Sequence, residues 1–319
     1  MSASDASLRA MDMGDVLDGA VGHYRRHFVT LFGIYAAGYA PFWLLVGLSA
    51  HLFSGSFVRL IALGAPAAAE EAGVDLALLG FAAFLLVVVA SVFFVEPVVT
   101  GATARGVSEQ ILGRPTSIRA AYSAVRPGVP ALLLSSFLRL VAVYGAHNLV
   151  SFVAFLPATV LPAVGVDVMV TVLLVALQLG ALLAASVIFM YLLFIGQVIV
   201  IENCGTAEAL TRSWRLVSGR LWRTSGIAGL LFLLVGALTS AFQLPLLTAV
   251  LVWWPWDAAP QNLATMGVLV TAVLAATSLL ASPILSIGTT FMYYDLRVRR
   301  EGFDVELMAD SLGEGGAAT

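Results

Sequence analysis

The sequence predicts an all-α fold, a polytopic transmembrane helix bundle of six spans. The composition is 60% hydrophobic and 11% charged, and the mean hydropathy of +0.98 lies well above the range of soluble domains. Six long apolar stretches each exceed the roughly 20 residues that cross a bilayer core. Arginines concentrate in alternate gaps between these stretches. Together these observations predict a membrane protein with a defined orientation.

The predicted chain has a head, a membrane domain and a tail. Residues 1–27 form a cytoplasmic head with an interfacial helix, residues 28–296 form the six-span membrane domain, and residues 297–319 form a cytoplasmic tail. The spans are predicted at about 28–53, 76–103, 128–157, 167–200, 223–252 and 264–292. The acidic head and the length of the first span differ from a cleavable signal peptide, so we expect the head to remain on the mature protein.

The positions of the arginines predict the orientation. All sixteen basic residues are Arg, and fourteen of them fall in the head, the second-to-third gap, the fourth-to-fifth gap and the tail. Of the other two, Arg59 lies in an opposite connection and Arg139 inside a span. Because positive residues near spans stay inside, we expect a multi-pass protein of the bacterial plasma (inner) membrane with both termini in the cytoplasm.

An amphipathic segment precedes each span that runs outward. These segments, at 14–26, 116–126 and 206–221, carry large apolar residues at i, i+4 and i+7, with a small residue one place before the middle one. The opposite face is polar. Such helices lie in the membrane interface with the apolar side down. The sequence therefore predicts three repeats of an interfacial helix followed by a transmembrane hairpin.

Three phrases are similar to those of a known bacterial family. They are Gly14-Asp-Val-Leu-Asp-Gly-Ala followed by Tyr24-Arg-Arg-His-Phe28, Ile201-Glu-Asn-Cys-Gly followed by Glu208-Ala-Leu-Thr-Arg-Ser-Trp-Arg-Leu-Val217, and Tyr293-Tyr-Asp-Leu-Arg-Val-Arg-Arg-Glu-Gly-Phe303. The chain resembles the integral membrane family named after the membrane domain of glycerophosphoryl diester phosphodiesterases. The chain ends about 23 residues after the last span, so the resemblance implies a stand-alone membrane domain whose catalytic domain is absent. The family name then implies no activity here.

The motifs of the chain indicate no reaction. His23 and His27 have metal-ligand spacing, but the Glu of a zinc-protease motif is missing and two arginines follow. The single Cys204 is interpreted as a bystander thiol, and Gly226 and Gly229 as sites of close helix packing. We expect no catalytic site, metal or cofactor, and no nucleic-acid partner, because the arginines are spread among acidic residues.

Membrane lipids are the predicted partners, with anionic headgroups as candidate ligands. A membrane or cytoplasmic protein is a further candidate partner. Basic residues near an anionic membrane surface each contribute about 1 kcal/mol to binding. The candidate headgroup contacts are Arg25, Arg26, Arg119, Arg126, Arg212, Arg215, Arg220, Arg297, Arg299 and Arg300.

Two charged residues are predicted to lie deep in spans and to meet. Glu96 lies about 12 Å from the cytoplasmic end of the second span, and Arg139 about 16 Å into the third, at 1.5 Å per residue. An unpaired charge at the bilayer centre costs about 2.5–3.5 kcal/mol on insertion scales. We therefore expect an intramembrane ion pair between Glu96 and Arg139 that faces the bundle interior.

The sequence leaves three functions open. The first is a non-enzymatic membrane scaffold or accessory subunit in envelope or lipid physiology. The second is a transporter or channel for a small or lipidic solute, which requires a polar path; the polar candidates within spans are Glu96, Arg139, His147, Gln178, Gln197 and Gln243. The third, an intramembrane enzyme, lacks a recognisable nucleophile or metal set. The first is favoured.

Overall fold

The computed structural model describes residues 11–62, 74–145, 168–253 and 261–302. Within these ranges all regular secondary structure is helical, which confirms the predicted all-α class. The α-helices are α1 (Met13–Arg26), α2 (Phe28–Ala62), α3 (Val74–Ala90), α4 (Glu96–Ile111), α5 (Ile118–Val125), α6 (Val129–Leu140), α7 (Val168–Tyr191), α8 (Ile195–Glu202), α9 (Thr206–Val217), α10 (Leu221–Trp253) and α11 (Gln261–Glu301).

Irregular helical turns join several of these helices. A π-helical turn at Ser91–Val95 connects α3 to α4, and a second at Val141–Gly145 follows α6. A 3-10 turn at Arg126–Gly128 connects α5 to α6. Because a π-turn leaves part of the regular hydrogen-bond ladder unmade, such turns are frequent at functional sites. Glu96 directly follows the first π-turn, and Arg139 precedes the second.

Five helices in the described residues are long and apolar enough to cross a membrane. They are Phe28–Ser49, Ile118–Val143, Val172–Glu202, Leu221–Val250 and Thr265–Glu301. They correspond to the first, third, fourth, fifth and sixth predicted spans. The second predicted span, 76–103, falls in the continuous helical run of α3, the π-turn and α4. Its passage through a membrane stays a prediction, as does the total of six spans.

The chain divides into two compact units that cut across the predicted head, membrane domain and tail. The first unit contains Met1–Met11, Pro127–Ile227 and Met292–Thr319, and the second contains Asp12–Arg126 and Ala228–Phe291. The first unit therefore holds α6 to α9 together with the first turns of α10 and the last turns of α11. The second holds α1 to α5 and the remaining lengths of α10 and α11.

Close approach of helices within the second unit depends on Gly38 of α2. A Cβ atom at this position would lie 2.2 Å from Cγ2 of Val99 in α4 and 2.7 Å from the Tyr122 hydroxyl of α5. Since the valine side chain is stiff, it has little freedom to move aside. Tyr122 also donates a hydrogen bond to the Ile34 carbonyl oxygen at 2.7 Å. Gly38 therefore permits the packing of α2 against α4 and α5.

The three predicted amphipathic segments are helices in the structure. They are α1, α5 and α9, whose bounds lie within the predicted segments or one to four residues from their ends. The Ser117 hydroxyl caps α5 by accepting a hydrogen bond from the Ala120 N–H at 3.2 Å. Gly219, with φ of +78°, reverses the chain between α9 and α10. The orientation of these helices along a membrane interface stays a prediction.

The centre of the buried face of these helices lies one residue before the middle of the predicted stripe, whereas the last residue of the stripe is buried in each helix as predicted. The small residue before the middle position is Ala20, Ala121 or Ser213, and each is at most 1% exposed. The large middle residue is less buried, and Trp214 is 50% exposed. A small side chain lets a helix approach its neighbours closely, so it lies at the centre of the contact. All three helices share this register, which supports the proposed repeat.

Each of the three helices also donates a hydroxyl hydrogen bond to a backbone carbonyl of a membrane-capable helix. The bonds run from Tyr24 to Leu280 (2.9 Å), from Tyr122 to Ile34 (2.7 Å) and from Ser213 to Tyr191 (2.8 Å). In α9 the Ser213 hydroxyl also accepts from the Phe194 N–H at 3.3 Å, so it bridges the break between α7 and α8. These bonds fix the amphipathic helices to the apolar ones.

Candidate functional site

The strongest polar cluster of the first unit surrounds Asp295, near the end of α11. Asp295 is 1% exposed. Its Oδ2 accepts from Arg223 Nη1 at 2.5 Å, and its Oδ1 accepts from Arg299 Nε at 2.8 Å and from the Met11 N–H at 2.7 Å. Arg223 and Arg299 also donate to the Met11 carbonyl oxygen, at 2.5 and 2.8 Å. The cluster therefore fastens the segment before α1 to α11.

The sequence motif around Asp295 explains how the cluster forms. Asp295 and Arg299 are four residues apart on one helix, so they lie on the same face. Arg223 stands in the first turn of α10, within the same unit. Since both carboxylate oxygens receive charged or backbone donors, the buried acid is well satisfied. Its geometry is that of a structural ion pair.

A second network links α8, α9 and α11 within the same unit. Arg212 lies between two carboxylates: its Nε is 2.9 Å from Glu202 Oε2, and its Nη1 is 2.6 Å from Glu301 Oε1. Arg297 Nε lies 3.2 Å from Glu301 Oε2. The hydroxyl of the fully buried Tyr293 donates to Glu202 Oε1 at 2.7 Å. Two acids and two arginines thus neutralise one another.

The charges of this network change the pKa of Arg212. Burial would lower the pKa of the guanidinium, but hydrogen bonds to Glu202 and Glu301 and the charges of both acids raise it above its ordinary value. Next to Glu202, Asn203 ends α8 with φ of 54°. Burial, with Glu208 and Glu202 nearby, raises the pKa of the half-buried Cys204 thiol. Since the thiolate is the reactive form, this environment disfavours nucleophilic chemistry.

A polar cluster lies among apolar helices of the second unit. The rings of Tyr35 and Tyr39 stack with centroids 4.7 Å apart. Tyr35 forms hydrogen bonds with Tyr39 and Ser282, and Glu96 lies within electrostatic reach of both tyrosines. The Oγ of Ser286, four residues after Ser282, is buried with no hydrogen-bond partner in the part of the chain that the structure describes. Tyr35, Tyr39 and Ser282 all belong to helices that are long and apolar enough to cross a membrane.

Helix irregularities accompany this cluster. Pro41 follows Tyr39, Pro97 follows Glu96 and Pro283 follows Ser282. A proline inside a helix removes one backbone hydrogen bond and releases a carbonyl oxygen one turn earlier. The π-turn at Ser91–Val95 adjoins Glu96 as well. The polar side chains therefore lie where the regular helix ladder is interrupted.

The two histidines with metal-ligand spacing lie beside each other at the end of α1. His23 is 6% exposed, and its Nε2 lies 2.7 Å from the Gln110 Oε1. The His23 and His27 rings are 4.7 Å apart. Burial lowers the pKa of His23 to about 4, despite the hydrogen bond to Gln110. In the part of the chain that the structure describes, no three His, Cys, Asp or Glu side chains are grouped for a metal ion.

The predicted headgroup arginines fall into three sets. Arg212, Arg297 and Arg299 form the ion pairs described above. Arg26 donates to the Gly22 carbonyl oxygen and Arg300 to that of Arg215. The remaining members, which form no ion pair with any described residue, are Arg25, Arg119, Arg126, Arg215 and Arg220. Their contact with lipid stays a prediction.

The predicted pair of Glu96 and Arg139 lies in two different units. Glu96 is half-buried in the first turn of α4, and Arg139 is half-buried in the last turn of α6. Their direct contact stays a prediction. Of the other polar candidates, Gln243 donates from Nε2 to the Thr277 hydroxyl at 2.9 Å, and His147 lies outside the described residues.

Sequence reasoning missed the carboxylates as the centres of the two networks. A sequence signal exists for both i,i+4 pairs, Asp295 with Arg299 and Arg297 with Glu301, because that spacing brings opposite charges together on a helix. No such spacing predicts the contacts of Arg212 and Arg223, because these arginines lie on other helices than the acids they contact.

The apolar helices define the class of this chain, which is an all-helical membrane protein. Residues 86–296, more than half of the chain, match the model of a family described as Domain of unknown function (DUF7847). The protein belongs to this family. No curated protein and no solved structure matches the chain.

Proposed function

We propose that the protein is a non-enzymatic scaffold or accessory subunit of the bacterial plasma membrane, acting in envelope or lipid physiology. In this proposal it crosses the membrane six times with both termini in the cytoplasm. The observation that carries the proposal is that the acids and arginines around Asp295 and Glu202 form ion pairs with one another. These acids and arginines satisfy each other, so they are committed to holding helices together.

The relation to the membrane domain of glycerophosphoryl diester phosphodiesterases is part of the same proposal. The phrases that carry the resemblance contain the buried contacts. Ile201–Gly205 contributes Glu202, Glu208–Val217 contributes Arg212, and the last phrase contributes Tyr293 and Asp295. Packing between helices accounts for these residue types without a catalytic role. On this proposal, the shared sequence phrases encode the contacts that hold the membrane helices together.

Purification of the full chain from its native membranes tests the scaffold role. We expect native mass spectrometry in lipid nanodiscs to give a complex of fixed stoichiometry with a second membrane or cytoplasmic protein. An unrelated tagged membrane protein of similar size, prepared in parallel, serves as the control. A chain that is recovered alone, together with solute flux in sealed vesicles, would contradict this role.

The cluster of Tyr35, Tyr39, Ser282 and Glu96 favours one alternative, a transporter or channel for a small or lipidic solute. Polar side chains beside broken helices are typical of binding sites in transporters. Proteoliposomes loaded with candidate solutes test this alternative. Flux that is abolished by Glu96→Gln and retained in Asp18→Asn, a change at an exposed acid, would establish transport and displace the scaffold proposal.

A further inference from the structure

The turn between α9 and α10 holds an unusual set of groups in the first unit. Gly219 has φ of +78°, and Arg220 follows it as the last residue before α10. The Arg220 carbonyl oxygen accepts from the Thr224 N–H at 2.9 Å, which begins the helix. The first N–H groups of an α-helix have no partner within the helix, and the helix dipole makes this end positive. Such an end favours an anion.

An unpartnered hydroxyl accompanies this helix end. Thr224 is 2% exposed, and its Oγ1 has no hydrogen-bond partner among the described residues. Helical side chains lean toward the N-terminus, so the Thr224 hydroxyl lies over the first turn of α10. A buried hydroxyl without a partner costs about 1–3 kcal/mol. The cost is relieved if a ligand at the helix end supplies an acceptor.

Three arginines surround the same turn. Arg300 donates to the Arg215 carbonyl oxygen, and its Nη2 lies 3.4 Å from the position that a Cβ on Gly219 would occupy. Arg215 and Arg300 are exposed, and Arg220 is half-buried. Among the described residues none of these three forms an ion pair. Glu202, Glu301 and Asp295, the acids of the neighbouring segments, are committed to other arginines. The turn is therefore locally positive.

The exposed indole of Trp222 indicates where the anion comes from. Trp222 is 89% exposed in the first turn of α10, two residues after Arg220. Trp214, which is 50% exposed, stacks on Tyr191 with ring centroids 4.0 Å apart. Indoles favour the headgroup level of a membrane. A tryptophan exposed to this degree beside arginines fits the headgroup region of a lipid layer better than bulk water.

We propose that the N-terminus of α10, with Thr224, Arg220 and Arg300, binds the phosphate of one anionic phospholipid headgroup. The helix N–H groups and the Thr224 hydroxyl would donate to phosphate oxygens, and the guanidinium groups would provide the opposite charge. The inference rests on the proposed membrane orientation and on no particular scaffold partner. This proposal assigns lipid binding to one defined site and not to many separate arginines along the membrane surface.

Native mass spectrometry of the full chain with phosphatidylglycerol tests the site. We expect Arg220→Gln to weaken retention of the first lipid about fivefold and Thr224→Val to weaken it about tenfold. Valine has the shape of threonine, and no described residue is a partner of the hydroxyl. The lipid-free melting temperature of Thr224→Val should therefore equal or exceed that of the wild type. Arg119→Gln, which removes an exposed arginine on α5, should change retention less than twofold.

Three outcomes would overturn the proposal. Equal weakening by Arg119→Gln and Arg220→Gln would mean that the arginines attract lipid diffusely. Unchanged retention in Thr224→Val would mean that the helix end holds no phosphate. Millimolar inorganic phosphate that stabilises the detergent-purified chain, with the same dependence on Thr224 and Arg220, would identify a soluble phosphate as the ligand. The scaffold proposal is tested separately by its stoichiometry and is unaffected by these results.

Discussion

At the residue scale, Asp295 connects three parts of the chain through one side chain. Its carboxylate receives donors from Arg223, Arg299 and the Met11 N–H, and both arginines also bind the Met11 carbonyl oxygen. Removing one partner from a buried ion pair leaves the other charges unbalanced in a poorly solvated site, and this is far more costly than losing a surface pair. The local structure before α1 therefore depends on a residue of α11.

We expect Asp295→Asn to lower the free energy of unfolding by about 3 kcal/mol. The amide keeps the size of the side chain but leaves Arg223 and Arg299 without a counter-charge. Chemical denaturation in detergent measures the change, and proteolysis should become faster near Met11. Asp18→Asn, at an exposed position on α1, is the matched control, with a change within about 0.5 kcal/mol. Equal stability of the two variants would contradict a structural role for the cluster.

A pH dependence is expected from His23. Burial lowers its pKa from 6.5 to about 4 in the folded protein, so the unfolded chain binds the proton more readily. Stability is therefore complete above pH 6.5 and falls as the pH decreases toward 4, by about 3 kcal/mol at pH 4. Thermal unfolding of His23→Gln should show a much smaller loss between pH 7 and 4. Identical pH profiles for the wild type and the variant would disprove the assignment.

At the element scale, the amphipathic helices show what the sequence could predict and what it could not. The apolar spacing predicted α1, α5 and α9 with nearly correct bounds, because it reflects which faces avoid water. It placed the large residues Val21, Tyr122 and Trp214 at the centre of the buried face, where the structure has Ala20, Ala121 and Ser213. Periodicity identifies a face, whereas the closeness of a neighbouring helix decides which residue of that face lies at its centre.

The glycines also show that the local sequence does not predict where helices approach closely. The sequence predicted close packing at Gly226 and Gly229, yet a Cβ on Gly229 would meet no atom within 4 Å. Close approaches occur instead at Gly33, Gly38 and Gly288, where a Cβ would lie 2.5 Å from Ile118, 2.2 Å from Val99 and 2.6 Å from Leu231. Nothing in the local sequence distinguishes these glycines, since the contact depends on a helix distant along the chain. The ion pairs of the candidate site could not be predicted from the local sequence for the same reason, because Arg212 and Arg223 lie on other helices than the acids they contact.

Gly38→Ala is expected to destabilise the protein by about 1–3 kcal/mol, because the added methyl group overlaps the stiff Val99 side chain. Gly229→Ala is the matched control in an apolar helix. Its methyl group meets open space, and alanine favours the helix by about 1 kcal/mol. Melting temperatures of the two variants in one detergent compare them directly. A Gly38→Ala protein as stable as Gly229→Ala would show that α2 and α4 pack less closely than described.

At the scale of the whole molecule, the arginine distribution and the five membrane-capable helices together constrain the topology. Only Phe28–Ser49 among these five lies between the arginines of the head and the group at 105–126. A single crossing would place these two arginine groups on opposite sides, against the positive-inside rule. We expect the run from Val74 through the π-turn to Ile111 to form the second crossing. We therefore expect six spans.

This topology predicts the side on which each connection lies. A reporter that is active only outside the cytoplasm should be active when inserted after Ala67, between the first two predicted spans, and inactive when inserted after Pro115 or fused after Thr319. Five crossings would reverse this pattern at the C-terminus and place Thr319 outside. A cytoplasmic reporter at the same positions should give the complementary pattern, which controls for poor expression. Activity of the external reporter after Thr319 would exclude six spans with both termini in the cytoplasm, and with that topology the cytoplasmic location of the proposed lipid-binding turn at Gly219.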